Sequence, residues 1–122
     1  MWDILMLEPV EEWYLELAVE DPVTARLVSN ALHHLSRTGP LEGRPLVDKI
    51  KGSRIHNLKE LRPGSSGRTE IRMLFVFDPR RRAVILVAGD KSGQWNDWYR
   101  KNIPIAEERY LDYLQHGKDG QA

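Results

Sequence analysis

Hydrophobic residues in this 122-residue chain fall into runs whose spacing switches between period two and period 3.6. Trp2 to Leu7 is short and apolar and reads as a first strand, ended by Pro9. From Glu11 to Glu20, Trp13, Leu17 and Ala18 recur at helical spacing, with acids in the first turn that favour the helix dipole. A second helix restarts at "EDPVTARLVSNALHHLSRTG". Asp21 reads as its N-cap, Pro22 as its first helical residue and Gly39 as its stop. Leu27, Val28, Ala31, Leu32 and Leu35 make one apolar face. Two helices meeting at "EDP" form a helical hairpin.

"GPLEGRP" is a loop, and "LVDKIKGSR" is ambiguous between strand, short helix and loop. "HNLKELR" reads as a short strand and "PGSSG" as the loop after it. Thr69 to Asp78 then alternates, with Ile71, Met73, Phe75 and Phe77 on one face and Glu70, Arg72, Leu74 and Val76 on the other. "DPRRR" is a hairpin connection. Ala83 to Ala88 is apolar on both faces, as a central strand is. Asn96 or Asp97 is placed to cap a helix, and Pro104 to begin another that carries Ile105, Tyr110, Leu111 and Leu114. Residues 1–116 read as one domain and 117–122 as a flexible tail. The order is strand, two helices, three strands in a meander, then helix. It predicts an α+β fold: a small antiparallel sheet with helices packed on one face.

Composition narrows the chemistry. The chain has no cysteine, which excludes a disulfide framework, a thiolate zinc site and a thiol nucleophile. Its start, MWDILMLEPVEEW, lacks the pattern of a signal peptide, and no apolar run nears the roughly 20 residues of a membrane span. A cytoplasmic protein with no membrane partner is expected. Net charge is zero but unevenly spread. Residues 1–48 hold nine acids and three Lys/Arg; residues 49–102 hold thirteen Lys/Arg and five acids. A basic middle on predicted strands points to an anionic partner.

Strand parity sharpens that expectation. If Ile71, Met73, Phe75 and Phe77 face the helices, Arg72 and Glu70 face away. On the preceding strand Leu61 faces the core, so Leu58, Glu60 and Arg62 point out. Glu60, Arg62 and Arg72 then converge on one open face, with Lys91 near the same edge and Arg68 in the adjoining loop. Either they form cross-strand ion pairs, worth little at an exposed site, or they make a phosphate-binding concavity, since guanidinium forks match phosphate oxygens. Trp95, Trp98 and Tyr99 follow Lys91, and aromatics beside basic residues stack on unpaired RNA bases. For Trp98, packing on a helix face is the favoured reading. "GSSG" and "GDKSG" do not match G-x-x-x-x-G-K-S/T, which argues against a nucleotide phosphate loop. His33 and His34 are adjacent and not one turn apart, so they do not form a helical metal pair. His56, just before the basic strand, is the best histidine candidate.

The stretch "LKELRPGSSGRTEIRMLFVFDPRRRAVILVAGDKSGQWNDWY" resembles the HigB-like, phage-derived branch of the RelE/ParE toxin superfamily. The resemblance runs from about Leu58 to Tyr110, and the order of elements before it agrees. It rests on the ELR strand, the Arg after a glycine-containing loop, the IRMLF strand and the GDK strand end followed by a helix. It implies a RelE-like fold, with an N-terminal helical hairpin and a C-terminal helix. It also implies the toxin of a type II toxin–antitoxin pair, cleaving mRNA on the ribosome with neither metal nor cofactor. Arg62 and Arg72 would then stabilise the phosphate, Lys91 would be the basic residue of the strand end, and Glu60 the base. Tyr99 or His56 would donate or orient a proton, and Lys59, Arg68, Trp95 and His56 would contact RNA. The implied partners are a helix-turn-helix antitoxin of the HigA type, mRNA and the ribosome. Two other readings stay open: a ParE-like inhibitor of DNA gyrase, and a non-catalytic homologue that only binds antitoxin or nucleic acid.

Overall fold

In the computed structural model, residues 1–117 are described, and 118–122 of the expected tail lie outside them. A strand β1 (Asp3–Met6) leads into helices α1 (Glu8–Glu20) and α2 (Pro22–Thr38). Four strands follow: β2 (Val47–Lys49), β3 (Lys59–Leu61), β4 (Ile71–Asp78) and β5 (Arg82–Asp90). One long helix, α3 (Asn96–His116), closes the described chain.

The helical hairpin forms as its signals require. The Asp21 carboxylate accepts from the Thr24 backbone N–H at 3.2 Å and from the Thr24 hydroxyl at 2.6 Å. Gly39 ends α2 at φ 59°, a conformation that favours glycine, and the Trp2 indole sits where a Cβ would be. Pro104 does not begin a new helix. It lies exposed inside α3, where it leaves one carbonyl without its helical partner.

The sheet runs β1-β5-β4-β3-β2. Strands β2 to β5 are an antiparallel meander, and β1 returns parallel to β5. The ambiguous segment thus supplies an edge strand, β2, which pairs Asp48 with Glu60. One register shift matters. Leu74 opposes Val87 while Phe75 opposes Ile85, so Leu86 is an extra residue on β5, and both Leu86 and Val87 join the cluster under α3.

Alternation along β4 divides the interior in two. Ile71, Met73 and Phe75 pack with Val28, Leu32 and Leu35 of α2 and Val10 of α1. Leu74 and Val76 pack with Trp98, Ala106 and Tyr113 of α3. The helices therefore cover both faces, and the expected single-sided packing is corrected. Leu58, expected to point out, is buried in the α3 cluster. Each fully buried Leu, Ile or Phe contributes about 1.5–3 kcal/mol, against about 0–1 for an exposed ion pair. The two apolar layers, and not the surface charges, hold the sheet.

Polar contacts pin α3 along its length. The Glu107 carboxylate accepts from the Arg54 backbone N–H at 2.6 Å and the Ser53 hydroxyl at 2.9 Å. Arg109 donates to the Leu86 carbonyl at 2.8 Å. The Tyr113 hydroxyl donates to Asp78 at 2.9 Å, and Asp78 also takes the Arg82 guanidinium. Among the described residues, no helix is long and apolar enough to cross a membrane.

Candidate functional site

Near its start, α3 meets the sheet through polar side chains as well as apolar ones. Asp48, Glu60, Arg62 and Arg72 share the sheet face that α3 covers, as the register of β2, β3 and β4 dictates. Lys91 ends β5 beside them, and Tyr99 reaches down from the first turn of α3.

Glu60 is the centre. It is only 3% exposed, and both its oxygens are engaged. The Tyr99 hydroxyl donates to Oε2 at 2.7 Å and the Arg62 Nε to Oε1 at 2.7 Å. Arg62 spans two strands, since its Nη2 donates to Asp48 at 3.1 Å. The result is a chain of four side chains, Asp48–Arg62–Glu60–Tyr99. Burial opposes the charge of Arg62, but Glu60 and Asp48 outweigh it and raise the Arg62 pKa.

Arg72 and Lys91 are held differently. Arg72 donates to the neighbouring Ile71 carbonyl at 2.8 Å and to Glu70 at a long 3.3 Å, while its buried Nε has no partner. Among the described residues Lys91 makes no ion pair within 4.0 Å, although the Glu60 and Glu70 carboxylates act on it from farther away. Its ammonium sits 4.9 Å from the Trp95 ring centroid and 5.1 Å from that of Tyr99. Burial and then Arg72 lower its pKa. Arg62 is thus held by two close acids, whereas Arg72 has one long pair with Glu70 and Lys91 only the more distant charges of Glu60 and Glu70.

Asp90 ties the end of β5 to its neighbours. Asp90 accepts from the backbone N–H of Glu70 at 3.0 Å and of Ser92 at 2.9 Å. Burial works against the Asp90 charge, yet these N–H groups win and lower its pKa. Gly89, opposite Arg72 on β5, lets the Trp98 indole approach: a Cβ there would meet Trp98 Nε1 at 3.0 Å.

Burial, and after it the Glu60 carboxylate, push Tyr99 up to about 12. An alkaline titration followed by tyrosinate absorbance should show a step near that value that disappears in Tyr99→Phe. Because the folded value exceeds the usual ~10, the unfolded chain gives up this proton first. The contribution of Tyr99 to stability is therefore intact below about pH 10 and lost as pH climbs toward 12. A Tyr99 step at its ordinary value would contradict the Glu60 pairing.

The remaining expected residues scatter. Lys59 lies on the opposite face, 5.3 Å from the Phe77 ring, because one residue along a strand reverses the side. His56 is exposed and lines a groove with Val76, Phe77 and Tyr110, toward the far end of β4 from Arg72. Arg68 is exposed in its loop. Trp98 packs into the α3 cluster, whereas Trp95 is 60% exposed. Sequence reasoning missed Asp48. It lies in the ambiguous segment, and only its pairing with Glu60 across β2 and β3 reveals it.

Comparison with known proteins accords with this architecture. A family profile described as "Phage derived protein Gp49-like (DUF891)" matches residues 16–111. The chain is 45% identical over 116 residues to the Mycobacterium tuberculosis protein described as "Putative toxin HigB3", covering 93% of this chain and 96% of that one. It is also 45% identical over 113 residues to that organism's "Putative toxin HigB2", but there it spans only 55% of the relative's length. A chain of the YoeB–YefM complex from Staphylococcus aureus superposes with a TM-score of 0.57 at 19% identity, over 72% of this chain and 94% of that one. That likeness extends to the fold, which is RelE-like. The profile match over most of the chain, together with relatives at this identity, makes the protein a member of the phage-derived Gp49-like family.

Proposed function

We propose that this chain is the toxin of a toxin–antitoxin pair and that it acts as a metal-independent, ribosome-dependent mRNA endoribonuclease. The observation that carries the reading is the Glu60–Tyr99 pair at 2.7 Å, set beside two cations, Arg72 with one long pair to Glu70 and Lys91 with no ion pair within 4.0 Å. The relatives described as HigB toxins and the RelE-like fold support the broader assignment to toxins. An antitoxin partner is likewise supported by the fold's occurrence in a chain of the YoeB–YefM complex.

RNA cleavage of this kind needs three things: a proton acceptor for the ribose 2′-OH, positive charge for the pentavalent phosphate, and a proton for the leaving 5′ oxygen. In the proposed reaction the 2′ oxygen bonds to the adjacent phosphorus as its proton passes to the Tyr99 oxygen, while Tyr99 hands its own proton to Glu60. The bond from phosphorus to the 5′ oxygen breaks, and that oxygen takes a proton from the Lys91 ammonium. A 2′,3′-cyclic phosphate and a 5′-hydroxyl result. Arg72 holds the phosphate oxygens throughout. Arg62, whose Nε and Nη2 are engaged by Glu60 and Asp48, positions Glu60.

Expression in growing bacteria with mapping of mRNA 5′ ends tests the reading. New ends confined to translated frames, and lost when initiation is blocked, are expected. Growth arrest without new ends would favour a gyrase-directed, protein-binding toxin instead. No arrest at all would leave only antitoxin or nucleic-acid binding.

A further inference from the structure

Trp95 is poorly explained by folding. It is 60% exposed, while Trp98, three residues on, is 3% exposed and packs in the core. Its backbone lies at φ 46°, a left-handed conformation that costs a bulky residue free energy and that glycine would adopt without strain. The turn that carries it is firmly built. The backbone N–H groups of Gln94 and Trp95 both donate to the Lys91 carbonyl, at 2.9 and 3.0 Å, and Asp90 anchors the turn from the other side. The indole is therefore fixed in relation to Lys91, whose ammonium lies 4.9 Å from its ring centroid. Polar, exposed Gln94 and Asn96 flank it.

Apart from its cation–π contact with Lys91, a strained, solvent-facing aromatic contributes little to stability. What it offers is a flat π-surface next to a phosphate-sized charge. From this we infer that Trp95 is a stacking platform for one unpaired nucleobase, adjoining the phosphate held by Arg72 and Lys91. The inference rests on the RNA-cleaving reading above and names the subsite through which the strand is held. Lys91 lies over one face of the indole, so the base would take the other. Stacking accepts every base, so the platform gives affinity and register more than sequence choice.

The probe is a single-stranded RNA pentanucleotide with a 2′-O-methyl sugar at each position, so that no free 2′-OH can attack the phosphate, compared with the same strand carrying abasic sites. Wild type should bind the base-bearing strand, and Trp95→Ala should weaken it by about tenfold or more, the range for one stacked base. Trp95→Phe should keep most of the affinity. On the abasic strand, wild type and Trp95→Ala should bind alike. Arg72→Ala should weaken both strands. Equal affinity of wild type and Trp95→Ala for the base-bearing strand would overturn the platform, and the nuclease reading would still stand if expression produces Arg72-dependent mRNA ends. Wild type that binds neither strand would also overturn the platform, and only the loss of those mRNA ends would bring the nuclease reading down with it. Both Trp95 variants should fold, since removing an exposed indole from this conformation opens no core cavity.

Discussion

Arg72→Ala should reduce mRNA cleavage by about 100- to 1000-fold, the usual effect of deleting one preorganised donor to a charged transition state. It should do so with little loss of stability, and the structure says why. The Arg72 guanidinium makes one local bond to the Ile71 carbonyl and one long contact to a part-exposed Glu70, lies near enough to act on the Tyr99 hydroxyl, and keeps its buried Nε unpaired. Removing it costs one long ion pair to a part-exposed partner and relieves an unsatisfied donor, so the change in folding free energy should stay within about 1 kcal/mol. Arg82 is the matched contrast at the other end of the same two strands. It is fully committed to a buried Asp78, with Nε at 2.8 Å and Nη2 at 2.7 Å. Arg82→Ala should strand that carboxylate, with only Tyr113 and backbone N–H groups left to satisfy it, and cost about 2–3 kcal/mol. It should leave the reaction of the surviving folded protein unchanged. Measuring thermal unfolding and cleavage on both variants separates a site cation from a structural one. An Arg72→Ala protein that folds and cleaves at the wild-type rate would remove Arg72 from the chemistry.

The same contrast marks what the sequence could disclose. Alternation with period two fixes which side chains share a face, so Glu60, Arg62 and Arg72 are legible as one group in the sequence. What covers that face is not. The docking side of α3 mixes Trp98, Ala106 and Tyr113 with Glu107 and Arg109, and polar contacts do much of the anchoring, so its hydrophobic period is weak. Pro104 then suggested a helix start where the helix in fact continues. Asp48 was illegible for a different reason: β2 has three residues, too few to show a period, and its existence depends on pairing with β3. His56 and Lys59 were close to the basic strand in sequence, yet a loop carries one away and a single step of register turns the other over. Parity is local and can be read from sequence. Coverage and loop direction come from tertiary packing.

The second large effect concerns the pair at the centre of the site. Glu60→Ala should destabilise the fold by about 2–3 kcal/mol, because it leaves the Tyr99 hydroxyl and the Arg62 Nε facing a buried void, with only the Asp48 contact retained by Arg62. Glu60→Gln is the cleaner chemical test. It preserves volume and one acceptor oxygen but cannot take a proton at neutral pH. Tyr99→Phe removes the hydroxyl and should cost about 1 kcal/mol, since Glu60 keeps its bond to Arg62. If Tyr99 passes the 2′-OH proton on to Glu60, each single change should slow cleavage by about 100- to 10,000-fold, as loss of a general base does. The double variant should then be hardly slower than the worse single one, because groups that act as a unit are lost together. Independent roles predict the opposite, with the two losses multiplying. Single-turnover cleavage rates for the four proteins decide between them. A multiplicative double variant would break the relay and return Glu60 to a separate role, either as a base acting directly or as an anchor for Arg62.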